Sequence, residues 1–136
     1  MSSMEKEIKM NNLVWKKARQ NEIDYIPNKP GVYLITMLCS NMMEYVIYSG
    51  QSNNLQRRLK EHYSIYEENE KLCNVIKKYQ NRINMYYATV NEYFLDNIER
   101  YLFNYYRPQF QDRAPDVFPR TCSLPNNLYK GTIPFL

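Results

Sequence analysis

A chain of 136 residues with 44% hydrophobic and 24% charged residues is long enough for one packed domain and too short for two ordinary ones. Those proportions exclude a disordered polymer, and the absence of a run of eighteen apolar residues excludes a membrane span. The net charge of +4 is compatible with a nucleic-acid partner but does not by itself identify one.

Residues 1–25 read as a polar, basic arm carrying Lys6, Lys9, Lys16, Lys17 and Arg19. Its start lacks the apolar core of a signal peptide. Cys39, Cys73 and Cys122 are scattered, odd in number and without a C-x-x-C, so neither a disulfide framework nor a zinc site is expected and the cytoplasm is the expected location. Trp15 is read as the arm's anchor on the body, with stacking on a base as the alternative. "IPNKPG" is a turn signal, after which "VYLITML" and "EYVIYS", separated by "CSNM", read as a hairpin. Both runs are apolar on both faces, which places the hairpin centrally in a sheet.

Gly50 ends the second strand, and Ser52 or Asn53 is expected to cap a helix in which Leu55, Leu59, His62, Tyr63 and Tyr66 recur at helical spacing. Leu72, Val75, Ile76 and Tyr79 mark a second helix, and "RINMYYATV" a third strand. Leu95, Ile98, Leu102 and Tyr105 form the stripe of a third helix that Pro108 stops. Residues 113–136 read as a proline-rich tail wrapping the domain, fixed by Phe118, Leu124 and the terminal "IPFL". The expected fold is a small α+β domain. It has a three-stranded, mainly antiparallel sheet flanked by helices, in the order β-β-α-α-β-α, with its core over residues 26–112.

Several polar residues stand in odd places. Arg57 has Glu61 four residues on, so an exposed pair accounts for it. Arg58 instead shares a helix face with Leu55 and His62, at the border of a buried stripe, where a guanidinium needs an anionic partner or a long reach to solvent. Glu99 lies beside the apolar stripe of the third helix, and a carboxylate there must be paired, hydrogen-bonded or metal-bound. From spacing alone, an Arg58–Glu99 salt bridge is the favoured reading, with a divalent-metal ligand as the functional alternative. Tyr33 and Tyr48 sit in the two hairpin strands, where buried tyrosines are ordinary.

Taken together, these residues resemble the GIY-YIG nucleases. "GVY" (residues 31–33) and "YSG" (residues 48–50) are similar to the two naming motifs of that family. Arg58, eight residues after Gly50, and His62, four further on, match its helix motif. Glu99 in "NIERYLFNYYRPQF" matches its metal-binding glutamate. "IPNKPGVYLI" further resembles the nuclease half of the bacterial excision-repair incision subunit. Two departures stand out: a longer linker between Tyr33 and Tyr48, and Gln111 where the family closes with Asn.

The resemblance implies hydrolysis of a phosphodiester bond in DNA. Its catalytic set would be Tyr33, Tyr48, Arg58, His62 and Glu99, with Glu99 holding Mg²⁺, for which Mn²⁺ could substitute. Tyr33 would be the general base, with His62 taking its proton or positioning the water, and Arg58 would hold a phosphate oxygen. Gly50, Ser52, Asn54, Arg57 and Gln111 are the candidate substrate contacts. Double-strand cutting would call for a homodimer. The competing reading is a catalytically inactive GIY-YIG-like module that binds DNA or protein.

Overall fold

The computed structural model describes residues 12–64 and 67–134. Tyr66, Lys6, Lys9, Phe135 and Leu136 lie outside the described residues. The sheet has five strands rather than three: β1 (Lys16–Ala18), β2 (Gly31–Leu38), β3 (Glu44–Ser52), β4 (Ile83–Thr89) and β5 (Leu128–Tyr129), in spatial order β1-β4-β2-β3-β5. The helices are α1 (Leu55–His62), α2 (Glu70–Lys78) and α3 (Leu95–Tyr106). The expected element order is corrected accordingly. β1 and β5 have only three and two residues, too short to carry a period, and exist because they pair with β4 and β3. β3 and β5 run parallel; every other neighbouring pair is antiparallel.

β2 is the central strand and is buried on both faces. Its period of two sends Tyr33, Ile35 and Met37 into a cluster with Leu55 and Leu59 of α1 and Leu72 and Ile76 of α2. Val32 and Leu34 enter the opposite cluster, with Leu95, Ile98 and Leu102 of α3. The register of β2 against β3 shifts where Ile35 faces Tyr48 and Thr36 faces Val46, leaving Ile47 as the extra residue of a bulge. The bulge lets adjacent Ile47 and Tyr48 both pack on the α1–α2 side.

Asn54, not Ser52 or Asn53, caps α1, its side chain accepting from the Arg57 amide at 3.1 Å. Ser52 is the last residue of β3, and its hydroxyl is turned back on Asn54. In α3 the buried stripe ends on Tyr106, whereas Tyr105 is 42% exposed. Arg107 then takes a left-handed conformation, φ 47°, ahead of Pro108.

The C-terminal segment lies along α3. Arg100 donates to the carbonyls of Ala114 and Pro115, and Asn97 to that of Phe118. Phe118 does not fix this segment: its side chain is 91% exposed, and Cys122 and Ile133 are the buried residues instead. Trp15 Nε1 donates to the Ser123 carbonyl at 2.8 Å, tying the chain's start to this segment. All three cysteines are free. No helix among the described residues is long and apolar enough to cross a membrane.

Candidate active site

Three separate segments place the site. β2 supplies Tyr33, and β3 with the adjoining α1 supplies Tyr48, Gly50, Arg58 and His62. α3 supplies Glu99. Tyr33 lies directly opposite Gly50 in the sheet. A Cβ at residue 50 would overlap the Tyr33 hydroxyl and ring, so glycine is required by the side chain across the strand pair.

The Tyr33 hydroxyl lies 2.7 Å from His62 Nε2. Tyr48 stacks on Tyr33 with ring centroids 6.3 Å apart, and both rings meet the His62 imidazole edge-on. Tyr33 and His62 are each only 1% exposed. Burial, then the neighbouring Tyr48, pushes the Tyr33 hydroxyl well above its ordinary range, against the pull of Arg58. Tyr48 is also raised by burial, although Arg58 hydrogen-bonds it and works the other way. Burial lowers His62, against the opposing carboxylate of Glu67.

Arg58 does not pair with Glu99. Its Nη1 lies 3.2 Å from Glu61 Oε2 and 3.5 Å from Glu67 Oε2. A residue three along the helix and one just before α2 reach the guanidinium, whereas Glu99 stands on α3, which packs on the opposite face of the sheet. Burial works against the Arg58 charge, yet Tyr33, Glu67 and Tyr48 hold its pKa above the usual arginine value. Arg57 behaves as its spacing predicts, pairing with Glu61 at 3.7 Å while also donating to Asn53.

Glu99 is 9% exposed and its carboxyl is pushed up to about 7, first by burial and then by Asp96. A hydrogen bond from the Gln51 side chain and the charge of Arg100 act against that rise. Gln51 also donates to Asp96. Glu99 is close enough to influence both Tyr33 and Tyr48 electrostatically. The described residues contain no group of three or more His, Cys, Asp or Glu that could cage a metal ion. A cation at Glu99 would therefore be held by this carboxylate with water and substrate oxygens, which suits Mg²⁺.

The candidate substrate contacts are placed unequally. Gly50 belongs to the cluster through Tyr33. Ser52 and Asn54 spend their side chains on the β3–α1 turn, and Arg57 lies on the exposed helix face. Gln111 is 8% exposed, its carbonyl oxygen accepting from Ser49 N at 2.9 Å and Ser49 Oγ at 2.7 Å, and its amide donating to the Arg113 carbonyl. It ties the chain after α3 to the strand bearing Tyr48.

Sequence reasoning missed Glu67. Its side chain is 2% exposed, and its Oε2 lies 2.5 Å from His62 Nδ1. One signal was available: Glu67 is an acidic residue five positions after the only histidine, in a stretch with no helical period of its own.

The family model for the GIY-YIG catalytic domain matches residues 29–112, and the chain belongs to the GIY-YIG family. Among solved structures it is similar to the magnesium-bound GIY-YIG N-terminal endonuclease domain of UvrC from Thermotoga maritima. The two are 24% identical with a TM-score of 0.50, over 68% of this chain and 94% of that one. A point mutant of the same domain, bound to its catalytic divalent cation, matches at 23% identity and the same TM-score over 69% of this chain and 94% of that one. Among curated protein sequences none matches.

Proposed function

We propose that the chain is a divalent-metal-dependent DNA endonuclease that hydrolyses phosphodiester bonds. The observation that carries this reading is the meeting of Tyr33, Tyr48, Arg58 and His62, drawn from two strands and a helix, with Glu99 within electrostatic reach. An ordinary core would bury apolar groups at this junction and would not leave a carboxylate with a raised pKa beside it.

Each side chain has a part in the reaction. Arg58 exchanges its glutamate partners for a non-bridging oxygen of the scissile phosphate and offsets the charge that develops there. Tyr33 takes a proton from the attacking water as its own hydroxyl proton passes to His62 Nε2 at 2.7 Å. Tyr48, hydrogen-bonded to Arg58 and stacked on Tyr33, keeps the two in register. Glu99 would hold Mg²⁺, which supplies electrostatic stabilisation of the phosphate and leaving oxygens when bound. Residues 26–112 are assigned as the catalytic core, with the flanking basic and proline-rich segments as DNA contacts and a homodimer for double-strand cutting.

Tyr33 is 1% exposed, so substrate entry has to open a path to its hydroxyl. That burial is the one observation favouring an inactive, DNA-binding module. Plasmid nicking with Mg²⁺ and with Mn²⁺ separates the two readings. The nuclease reading expects metal-dependent cleavage that Glu99→Gln reduces by about 10³-fold while DNA binding persists. Binding without cleavage under either metal would leave the inactive module.

A further inference from the structure

Glu67 lies outside the set that defines the site, yet it is among the most buried charged side chains of the described residues. Its two oxygens are divided. Oε1 accepts from the Asn69 amide at 3.1 Å, which fixes the carboxylate to the start of α2. Oε2 faces His62 Nδ1 at 2.5 Å and Arg58 Nη1 at 3.5 Å. Apart from this ion-pair contact, neither His62 Nδ1 nor Glu67 Oε2 has a hydrogen-bond partner among the described residues. Asn69 in turn donates to the Phe110 carbonyl at 2.6 Å, so the segment bearing Glu67 is pinned to the chain that follows α3.

An ionised carboxylate can only accept hydrogen bonds. The His62 nitrogen facing it must therefore carry the ring proton, which leaves Nε2 with a free lone pair. That lone pair points at the Tyr33 hydroxyl. With the opposite tautomer, Nε2 would present a hydrogen to Tyr33 and could take nothing from it, while Nδ1 and Glu67 would face each other lone pair to lone pair.

We infer that Glu67 is a positioning residue that sets the His62 tautomer, completing a Tyr33–His62–Glu67 proton relay. The inference rests on the hydrolytic reading of Tyr33 and His62. In the step itself the water oxygen bonds to phosphorus as its proton goes to Tyr33 Oη, and the Tyr33 proton moves to His62 Nε2. The phosphorus–oxygen bond to the leaving group breaks, and the leaving oxygen takes a proton from solvent. The imidazolium so formed lies against the Glu67 carboxylate and is stabilised by it, then returns its proton to solvent by the same path. The groups facing His62 are Tyr33 from β2, Tyr48 from β3, Arg58 and Glu61 from α1, and Glu67. Burial of the ring and the Arg58 charge hold it neutral before reaction, and Glu67 acts against both.

The chain has one histidine, so its nitrogen-15 resonances are unambiguous. The test compares the full chain with Glu67→Gln, a substitution that keeps the size and removes the obligate acceptor. The wild-type ring, free of metal and DNA, is expected to be protonated on Nδ1. Glu67→Gln should shift population to the Nε2-protonated form. With Mg²⁺ and a duplex substrate, kcat should fall by about 10²-fold while KM stays within about twofold. An Nε2-protonated ring in the wild-type chain overturns the inference without any variant. So does a variant with unchanged tautomer that raises KM, which would mean that Glu67 only holds Arg58. If the wild-type chain fails to cut DNA, the nuclease reading fails, while the tautomer still decides whether Glu67 orients the ring.

Discussion

The two ends of the site are buried alike and balanced differently. At the relay end a hydrogen bond and two ion-pair contacts run in series: Tyr33 to His62, His62 to Glu67, and Glu67 to Arg58. At the other end Glu99 has a second carboxylate, Asp96, for a neighbour, eased by Gln51 and Arg100. Desolvation is the first cause of the shift at both. It disfavours the imidazolium and so keeps a proton acceptor ready. It disfavours the carboxylate and so leaves a position that a cation would relieve. On the nuclease reading, one physical effect serves a base at one end and a cation site at the other.

On the nuclease reading Arg58 is the group that holds the scissile phosphate, and removing it should break the comparison most severely. Arg58→Ala is expected to lower single-turnover cleavage by about 10²-fold or more. Arg58→Lys should recover little, because an ammonium cannot grip Tyr48 and a phosphate with a planar fork. Cleavage by Arg58→Lys within a few-fold of wild type would reduce the residue to a point charge.

Gly50→Ala attacks the relay end without replacing a polar group. The new methyl overlaps the Tyr33 hydroxyl, so either the ring leaves His62 or the strands part. A loss of about 1–3 kcal/mol in stability is expected from overpacking, accompanied by loss of cleavage beyond that of the unfolded fraction. Thermal melts read alongside cleavage rates separate the two. Full activity per folded molecule would mean that the Tyr33–His62 contact is dispensable.

The Glu99 end is sharpened by pH. Its folded pKa of about 7 lies above the ordinary 4.5, so between those values the folded chain binds more protons at Glu99 than the unfolded chain. Its contribution to stability therefore falls as pH rises through that window. His62 acts oppositely: its lowered pKa gives stability that is present above about 6.5 and lost as pH falls through the folded value. Subtracting Glu99→Gln isolates the carboxylate. The melting temperature of wild type minus that of the variant should drop between pH 5 and pH 8, and Mg²⁺ should restore it at pH 8 far more than at pH 5. A flat difference would mean that Glu99 is not strained.

The sequence disclosed one end better than the other. Tyr33, Arg58, His62 and Glu99 stand at fixed spacings on regular elements, and spacing survives into a linear string. Glu67 has no such signal. It lies between two helices, and its burial is created by tertiary contacts with His62 and Arg58 that only the folded chain makes. Charge and stripe position favour an Arg58–Glu99 pair, but two nearer glutamates take the guanidinium in the fold. β1 and β5 were invisible for a related reason: two or three residues show no period, and their pairing is supplied by the partner strand. Hydrophobicity alone does not place Tyr105 or Phe118: Tyr105 lies on the solvent side of α3, which buries Tyr106 instead, and Phe118 stands in an exposed stretch of a segment whose buried residues are Cys122 and Ile133.

The smallest expected effect on cleavage comes from Gln111, where the chain departs from the family's asparagine. Its amide is used inside the fold, bridging Ser49 in β3 and the Arg113 carbonyl. The extra methylene is what lets one side chain span both, so Gln111→Asn should release one of them and leave a buried polar group unpaired. That costs about 1–3 kcal/mol of stability. Ser49 adjoins Tyr48, so a slackened tether reaches the chemistry only through the position of that ring. Cleavage per folded molecule should therefore fall by less than about tenfold, an amount that roughly 1.4 kcal/mol of lost positioning would produce, with KM unchanged. A rise in KM at unaltered melting temperature would instead place Gln111 against the DNA. It would then belong with Arg58 rather than with the scaffold that holds Tyr48.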